Sequence, residues 1–208
     1  MKGKLITLEG VEGSGKSTQA ELLGEYLQQE GYEVIITHEP GDTEVGKKIR
    51  QILLDPHHNN LSSKAELLLY EADRAQHVSQ VIKPALEAGK VVISDRYFDA
   101  TLAYQGYARD IDKSVVSTLN QIAVNSAIPD LTLLLDIDPE LSLQRANQVT
   151  AQEGREDRIE AEKLSFHRQV RRGYLALAEQ EERIEVIDAQ QTVKKIFSQI
   201  KQVLTERW

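Results

Sequence analysis

Residues 10–17 of this chain, with the sequence GVEGSGKS, restrict its fold more than any other segment. They match the pattern of a glycine, four further residues, Gly-Lys and then Ser or Thr, which binds the phosphates of a nucleoside triphosphate. The short apolar run 4–8 before the motif is typical of a buried strand, and the spacing of apolar residues after it is typical of a helix. The segment therefore predicts a strand, a phosphate-binding loop and a helix in direct succession.

The residues of this phosphate loop have the chemistry that such a site needs. Small residues allow successive backbone N–H groups to point toward one anion. Lys16 can pair with the β- and γ-phosphates, Ser17 can ligate Mg²⁺, and the helix N-terminus adds positive potential. An ordinary glycine-rich turn is the alternative, and the flanking strand and helix argue against it. The predicted ATP-binding residues are Gly10, Val11, Glu12, Gly13, Ser14, Gly15, Lys16, Ser17 and Thr18.

Short apolar runs alternate with long segments of helical spacing along the whole chain. This alternation is typical of a parallel sheet covered by helices. The 208 residues contain no Pro-, Gly- or Ser-rich linker, so we expect a single domain over residues 1–208. The predicted fold is α/β, a five-stranded parallel sheet flanked by helices, of the P-loop NTPase type with a short lid. Strands are predicted at 4–8, 33–37, 90–94, 131–137 and 183–187, and helices at 16–30, 43–54, 62–88, 111–126, 138–150, 157–180 and 190–206.

The segment 148–158 departs from this pattern, because it is polar and contains a glycine between two predicted helices. We interpret it as a mobile lid. Composition alone also fits a plain solvated loop with helix-capping acids.

Charge and composition exclude several classes of protein. The net charge of −8 argues against general binding to nucleic acid polymers, which depends on clustered Lys and Arg. The absence of cysteine excludes a disulfide framework and a thiolate zinc site. No apolar run approaches the roughly 18 residues of a membrane span, and the N-terminus has no signal-peptide core. We therefore expect a cytoplasmic protein that does not bind membranes.

Polar residues follow the predicted strands, at the edge where parallel sheets bind their ligands. Asp95 and Arg96 come directly after the third apolar run. Asp95 could hold Mg²⁺ through water, and the Arg96 guanidinium could bind a phosphate with two hydrogen bonds. A structural ion pair at a strand end explains the same spacing equally well.

Several motifs in this order and spacing resemble those of bacterial thymidylate kinases, and the match covers almost the whole chain. The resemblance implies transfer of the γ-phosphoryl group of ATP to dTMP, giving dTDP and ADP in dTTP synthesis, with Mg²⁺ as cofactor and a homodimer as the assembly. Another nucleoside monophosphate kinase is the main alternative. A P-loop ATPase or GTPase switch is a weaker one, because the chain lacks a guanine-reading Asn/Thr-Lys-x-Asp motif. The motifs are the phosphate loop, Glu-Pro-Gly at 39–41, Ala-Asp-Arg-Ala at 72–75, Asp-Arg-Tyr at 95–97 and Ala-Tyr-Gln at 103–105.

The resemblance also assigns roles in substrate binding. It implies that Tyr70 stacks on thymine, that Arg74 donates to O4, that Gln105 faces N3 and that Tyr104 crowds the ribose 2′ position. Thymine offers an O4 acceptor, which suits a guanidinium. By residue chemistry alone, core packing of Tyr70 remains the simpler explanation. The substrate-binding candidates are Glu12, Glu39, Pro40, Arg50, Tyr70, Arg74, Arg96, Thr101, Tyr104 and Gln105.

The resemblance assigns two pairs of charged residues among these candidates to the region of the phosphates and the sugar. Arg50 and Arg96 match the arginines that hold the acceptor phosphate in the family. Glu12 and Glu39 match acidic positions near the sugar and the phosphate-bound metal. Solvent exposure on loops is the alternative for both carboxylates.

Where the phosphate loop of the family has no arginine, a basic lid residue supplies that charge to the transferring group. Position 12 is an acid here, and Arg155 and Arg158 lie in the lid segment, so the resemblance implies a lid arginine without saying which. The chain also departs from the family at Asp42, where glycine is usual, and at Ala100, where serine is usual. The catalytic candidates are Lys16, Arg96, Arg155 and Arg158, and the metal-binding candidates are Ser17 and Asp95.

Overall fold

A computed structural model of the protein describes residues 3–153 and 157–207, without the side chains of residues 147 and 149–153. Its centre is one five-stranded, all-parallel sheet, which confirms the predicted fold class. The strand order is β2-β3-β1-β4-β5. The strands are β1 (Lys4–Glu9), β2 (Val34–His38), β3 (Val91–Asp95), β4 (Leu131–Asp136) and β5 (Ile184–Asp188).

The register of the sheet brings the functional loops to one edge. Asp95, the last residue of β3, pairs with Leu8 of β1 and with His38 of β2. These three strands therefore end at nearly the same level. The loops that follow them begin side by side, as expected at the carboxyl edge of a parallel sheet.

The helices flank this sheet, and those described are α1 (Lys16–Gln29), α2 (Glu44–Leu54), α3 (Ser63–His77), α4 (Lys83–Glu87), α5 (Phe98–Thr101), α6 (Lys113–Val124), α7 (Pro139–Glu153), α8 (Leu164–Ala178) and α9 (Val193–Arg207). A 3₁₀ turn occupies Pro56–His58 and π-helical segments occupy Val78–Ile82 and Leu102–Ala108. None of these helices is long and apolar enough to cross a membrane.

Three predicted segments differ in the structure, and the helical residues 98–108 are not among the predicted elements. The helix predicted at 62–88 changes to π-helical geometry between α3 and α4, because Pro84 has no N–H to donate to the carbonyl four residues earlier. The helix predicted at 157–180 begins only at Leu164. The first part of the predicted lid, residues 148–153, belongs to α7, and residues 154–156 lie outside the described part of the chain.

The hydrophobic core lies on both faces of the sheet, and this explains why the inner strands are apolar almost throughout. Leu5, Leu8, Ile93 and Leu133 are fully buried, with Leu5 packed on one side and the other three in the larger cluster. Central strands covered by helices on both sides lose the alternation of polar and apolar residues. The rigid core thus supports the polar loops at the sheet's edge.

Candidate active site

The phosphate loop has a backbone that only glycine adopts easily at two positions. Gly10 has a φ of 140° and Gly13 a φ of 70°. A Cβ on Gly10 would lie 2.6 Å from the carbonyl oxygen of Leu135, and one on Gly13 would collide with the carbonyl oxygen of Ser142. The loop is therefore packed directly on the end of β4 and on α7, and both glycines are required by that close approach.

Lys16 lies across the loop rather than in solvent, since only 5% of the residue is exposed. Its Nζ donates to the carbonyl oxygen of Gly10 at 3.2 Å and to that of Val11 at 3.0 Å. Burial and the nearby charge of Arg96 lower the pKa of Lys16, and the carboxylates of Glu12 and Asp95 oppose this shift. The ammonium is held over the loop, where triphosphate oxygens would be stronger acceptors than the two carbonyls.

Ser17 and Asp95 meet at the end of the sheet. The Ser17 hydroxyl donates to Asp95 Oδ2 at 2.6 Å. Two adjacent hard oxygen ligands fit Mg²⁺, which binds few protein groups and keeps waters and substrate phosphates as its other ligands. The described residues include no cluster of three or more His, Cys, Asp or Glu side chains that could hold a metal ion.

Arg96 joins the phosphate loop to the rest of the cleft. Its backbone has a φ of 73°, which is strained for a residue with a long side chain, and its N–H donates to the Leu8 carbonyl at 2.9 Å. The guanidinium donates to the Gly10 carbonyl at 3.0 Å and to the Glu12 carboxylate. It also lies 5.3 Å from the centre of the Tyr104 ring. The strained turn thus directs this cation back toward the loop.

Glu12 is the anionic partner of Arg96, a pairing that sequence reasoning missed. Burial opposes its ionisation, but the charges of Arg96 and Lys16 lower the pKa of Glu12 to about 2. The carboxylate is therefore ionised at neutral pH. The two positions, 84 residues apart, become neighbours only because β1 and β3 pair in register.

Arg74 is fully buried beneath the cleft and is held by several partners at once. Its Nε donates to Glu39 Oε2 at 2.9 Å, and its Nη1 donates to Glu71 Oε1 at 2.9 Å and to the Thr101 hydroxyl at 2.7 Å. Nη2 donates one hydrogen bond, to the carbonyl oxygen of Tyr97 at 3.1 Å. Arg74 is thus a structural cation as well as a wall of the cavity, and sequence reasoning did not find its partner Glu71.

A second buried network fixes the loop after β2. His77 Nδ1 lies 2.8 Å from Glu39 Oε1, and its Nε2 lies 2.6 Å from the Thr37 hydroxyl. Thr37 in turn donates to the carboxylate of Asp42, which acts as a hydrogen-bond acceptor in this loop. The N–H of Gly41 donates to Asp73 Oδ1 at 3.1 Å. These hydrogen bonds hold the Glu-Pro-Gly loop against α3. In this position Glu39 and Pro40 line the cleft.

A single cavity of about 500 Å³ collects most of the predicted site residues. The predicted residues Gly10, Val11, Ser14 and Arg158 do not line it, while Ala100, Asp157 and Ile159 do so without having been predicted as site residues. Tyr70 is half-buried at its wall and not in the core. The predicted residues that line the cavity are Glu12, Gly13, Gly15, Lys16, Ser17, Thr18, Glu39, Pro40, Arg50, Tyr70, Arg74, Asp95, Arg96, Thr101, Tyr104 and Gln105.

Of the two lid arginines, only Arg158 is among the described residues, and Arg155 lies outside them. Arg158 is anchored, because its Nε donates to the Leu53 carbonyl at 2.8 Å and its Nη2 to Glu66 Oε2 at 2.6 Å. Its backbone N–H also donates to the Leu54 carbonyl. Arg158 fastens the C-terminal end of the lid segment to α2 and α3.

Comparison with known proteins agrees with this arrangement. The family model described as Thymidylate kinase matches residues 8–200. A thymidylate kinase of Maridesulfovibrio salexigens is 50% identical over 206 residues, covering 97% of this chain and 95% of that protein, and one of Halothermothrix orenii is 51% identical over 200 residues, covering 96% and 95%. The crystal structure of thymidylate kinase from Ehrlichia chaffeensis superposes with a TM-score of 0.78 at 32% identity, covering 99% of each chain. On sequence and fold together, the chain belongs to the thymidylate kinase family.

Proposed function

We propose that the protein transfers the γ-phosphoryl group of ATP to the 5′-phosphate of dTMP, giving dTDP and ADP. The observation that carries the proposal is that one cavity joins Lys16 of the phosphate loop to Arg74 and Gln105. These groups have the chemistry to hold a triphosphate at one end and a pyrimidine base at the other. Family membership supports the same pair of substrates.

The donor half of the site would bind ATP through the phosphate loop. Lys16 would exchange its two carbonyl acceptors for phosphate oxygens, and loop N–H groups would surround the β-phosphate. We propose that Ser17 and Asp95 hold Mg²⁺ here, and the ion would neutralise the charge of the β- and γ-phosphates. Lys16 and Arg96 add fixed positive charge at the same place.

The acceptor half would hold dTMP by its base and by its phosphate. Arg96 and Arg50 would bind the 5′-phosphate, and the Nη1 of Arg50 donates to the Pro40 carbonyl at 2.8 Å in the cavity wall. Tyr70 would stack on the thymine ring. The Tyr104 ring would exclude a ribose 2′-hydroxyl.

No general base is required for the reaction. A phosphate monoester has a second pKa near 6, so the acceptor is largely dianionic at neutral pH and is already a nucleophile. The protein's contribution is then to align the two phosphates, to neutralise their charge and to exclude water. Lys16, Arg96 and a lid arginine would supply that charge.

The test is a coupled ADP-release assay with ATP and Mg²⁺ across dTMP, dUMP, dCMP, dGMP, AMP and UMP. We expect dTMP to give the highest kcat/KM. A clear preference for any other monophosphate would replace the proposal with a different nucleoside monophosphate kinase. ADP release without an acceptor would instead favour an ATPase.

We propose that the segment 148–158 acts as a lid and that Arg155 supplies its catalytic charge. The anchoring of Arg158 by Glu66 and Leu53 supports this choice. Replacing Arg155 with Ala should lower kcat by about 10²-fold, the usual cost of losing one group that stabilises a transition state, with little change in either KM. Arg158→Ala is the matched variant, and a larger kcat loss there than in Arg155→Ala would reverse the assignment.

We further propose that the protein is a homodimer that pairs through α3 and α6. Leu68 of α3 is 56% exposed, and Val115 and Ile122, seven residues apart on one face of α6, are 48% and 70% exposed. Light scattering should give about twice the 23.4 kDa of one chain. Ile122→Glu should shift the mass toward the monomer, and a monomeric mass for the unaltered protein would contradict the proposal.

A further inference from the structure

Glu66 of α3 is a buried carboxylate that contacts three separate side chains. The residue is 1% exposed, and it accepts from Gln105 Nε2 at 2.8 Å, from Arg109 Nε at 3.1 Å and from Arg158 Nη2 at 2.6 Å. Burial opposes ionisation, but the hydrogen bonds from Arg109 and Gln105 outweigh it and lower the pKa of Glu66. The carboxylate is therefore anionic at neutral pH. An anionic carboxylate only accepts hydrogen bonds, so each partner must present an N–H to it.

This requirement decides which way the Gln105 amide points. The side-chain amide of Gln105 has a donor end, Nε2, and an acceptor end, Oε1, of nearly the same shape. Glu66 binds the donor end, which leaves the oxygen as the end that can accept from a ligand. Gln105 is 2% exposed and lines the cavity, so its orientation is fixed by neighbours rather than by solvent.

An acceptor at this place distinguishes two classes of pyrimidine. Thymine and uracil carry a hydrogen on N3 and donate there, whereas cytosine has a bare N3 that only accepts. An amide oxygen facing N3 therefore binds the first class and repels the second. The opposite orientation, with the NH₂ group facing the base, would reverse the preference.

Glu66 also holds the C-terminal end of the lid segment. Arg158 binds Glu66 Oε2 and the Leu53 carbonyl, and Arg109 binds both Glu66 and the Glu162 carboxylate at 2.5 Å. Glu66 thus contacts Gln105 of the π-helical segment directly, and through Arg158 it is linked to the end of α2 and to the C-terminal end of the lid segment.

We infer that Glu66 is a positioning residue that turns the Gln105 amide oxygen toward N3–H of the bound pyrimidine. Through Arg158 the same carboxylate links that orientation to the C-terminal end of the lid segment. The inference rests on the proposed phosphorylation of dTMP. Glu66 lies behind the wall of the site, and neither its sequence context nor the spacing of the motifs indicates a role for it.

The test is Glu66→Gln, a change that keeps the shape but not the charge. The new amide can present either an oxygen or an NH₂ group to Gln105, so the Gln105 amide is no longer held in one orientation. We expect KM for dTMP to rise and the ratio of kcat/KM for dTMP to that for dCMP to fall, each by about tenfold, the usual value of one base-reading contact. KM for ATP should stay within about twofold, because Glu66 has no part in the donor half.

Glu162→Gln is the matched control. Glu162 binds the same Arg109 and is not a hydrogen-bond partner of Gln105 among the described residues. A general loosening of the ion network would affect both variants alike, whereas base selection should change only in Glu66→Gln. Equal losses of selectivity in the two variants would overturn the inference.

Two further variants test whether Glu66 acts through Gln105. In a Gln105→Ala background, adding Glu66→Gln should leave the dTMP to dCMP ratio unchanged, and a further full loss would contradict the inference. The exchanged pair E66Q with Q105E places at position 105 a carboxylate that can only accept from N3–H, and it keeps one carboxylate in the network, so we expect selectivity for dTMP to return.

The outcomes separate this inference from the proposed function. If the unaltered protein does not phosphorylate dTMP, the proposed function itself is wrong. If it does, and Glu66→Gln keeps full selectivity, only the role of Glu66 is overturned. Circular dichroism melts accompany the assays, and unfolding of both Glu66→Gln and the exchanged pair would assign Glu66 to stability alone and also overturn the inference.

Discussion

Replacing Lys16 with Ala should abolish phosphoryl transfer, with a fall in kcat of about 10³-fold or more, because the variant loses the cation at the transferring group. The Lys16 ammonium lies over the phosphate loop and donates to the carbonyls of Gly10 and Val11. Alanine has no charge with which to replace this ammonium. The coupled ADP-release assay at saturating dTMP measures the effect, and calorimetry with ATP measures the accompanying loss of affinity.

The fold should survive this change. Burial already lowers the pKa of Lys16, which means that the folded protein holds the ammonium at some cost. We therefore expect Tm to change by no more than about 4 °C in either direction, equivalent to roughly 1 kcal/mol. Lys47→Ala is the control, since Lys47 is an exposed lysine paired with Glu44 on α2 and should keep full activity. A Lys16→Ala protein that is folded and turns over at the original rate would refute the role of the loop.

Replacing Arg74 with Ala should produce the largest loss of stability of any single change at the site. The substitution leaves the buried carboxylates of Glu39 and Glu71 without their cation, and breaking a buried pair in this way typically costs about 3–5 kcal/mol. Urea unfolding followed by circular dichroism measures that cost. Arg171→Ala is the matched control: its bidentate pair with Asp136 is 31% exposed on the arginine side, and we expect a loss of at most about 1 kcal/mol.

The same residue should also affect substrate binding. We expect KM for dTMP to rise far more than KM for ATP in an Arg74 variant that remains folded, because Arg74 lines only the acceptor end of the cavity in the proposed arrangement. Arg74→Lys provides such a variant, since it keeps the positive charge but not the forked donors. If KM for dTMP is unchanged in both Arg74→Lys and Arg74→Ala, Arg74 does not bind the base.

The parts of the fold that depend on short-range patterns were predictable from the sequence. Apolar runs mark the strands, and the loop motif requires β1 before it and α1 after it, so the central sheet follows from local information. Polar residues after each strand likewise indicate where the site lies. The helix and π-helical segment at 98–108 were missed, because Tyr97, Tyr104 and the residues between them have no clean helical spacing.

The partners of the site residues differ in how far the sequence predicts them. Glu12 meets Arg96 only through the register of β1 and β3, so no local pattern indicates that pair. Glu71 lies three residues before Arg74 on α3, and this helical spacing is a signal in the sequence that could have identified the pair. Glu66 is a single glutamate within a helical pattern, and nothing about its neighbours in sequence separates it from a solvent-facing acid. Glu66 becomes buried and gains its three donors only once α3, the π-helical segment and the C-terminal end of the lid segment are packed together.

The ion pair between Glu12 and Arg96 brings this part of the cleft close to charge neutrality. An arriving phosphate must therefore displace a carboxylate from Arg96 instead of meeting an uncompensated cation. Inorganic phosphate gains less from that exchange, because it replaces one anion with another and has no base or sugar to contact the rest of the cavity. A complete nucleotide gains much more, since its base and sugar bind elsewhere in the same cavity. The Glu12 carboxylate therefore favours binding of a complete nucleotide over binding of a small anion at Arg96.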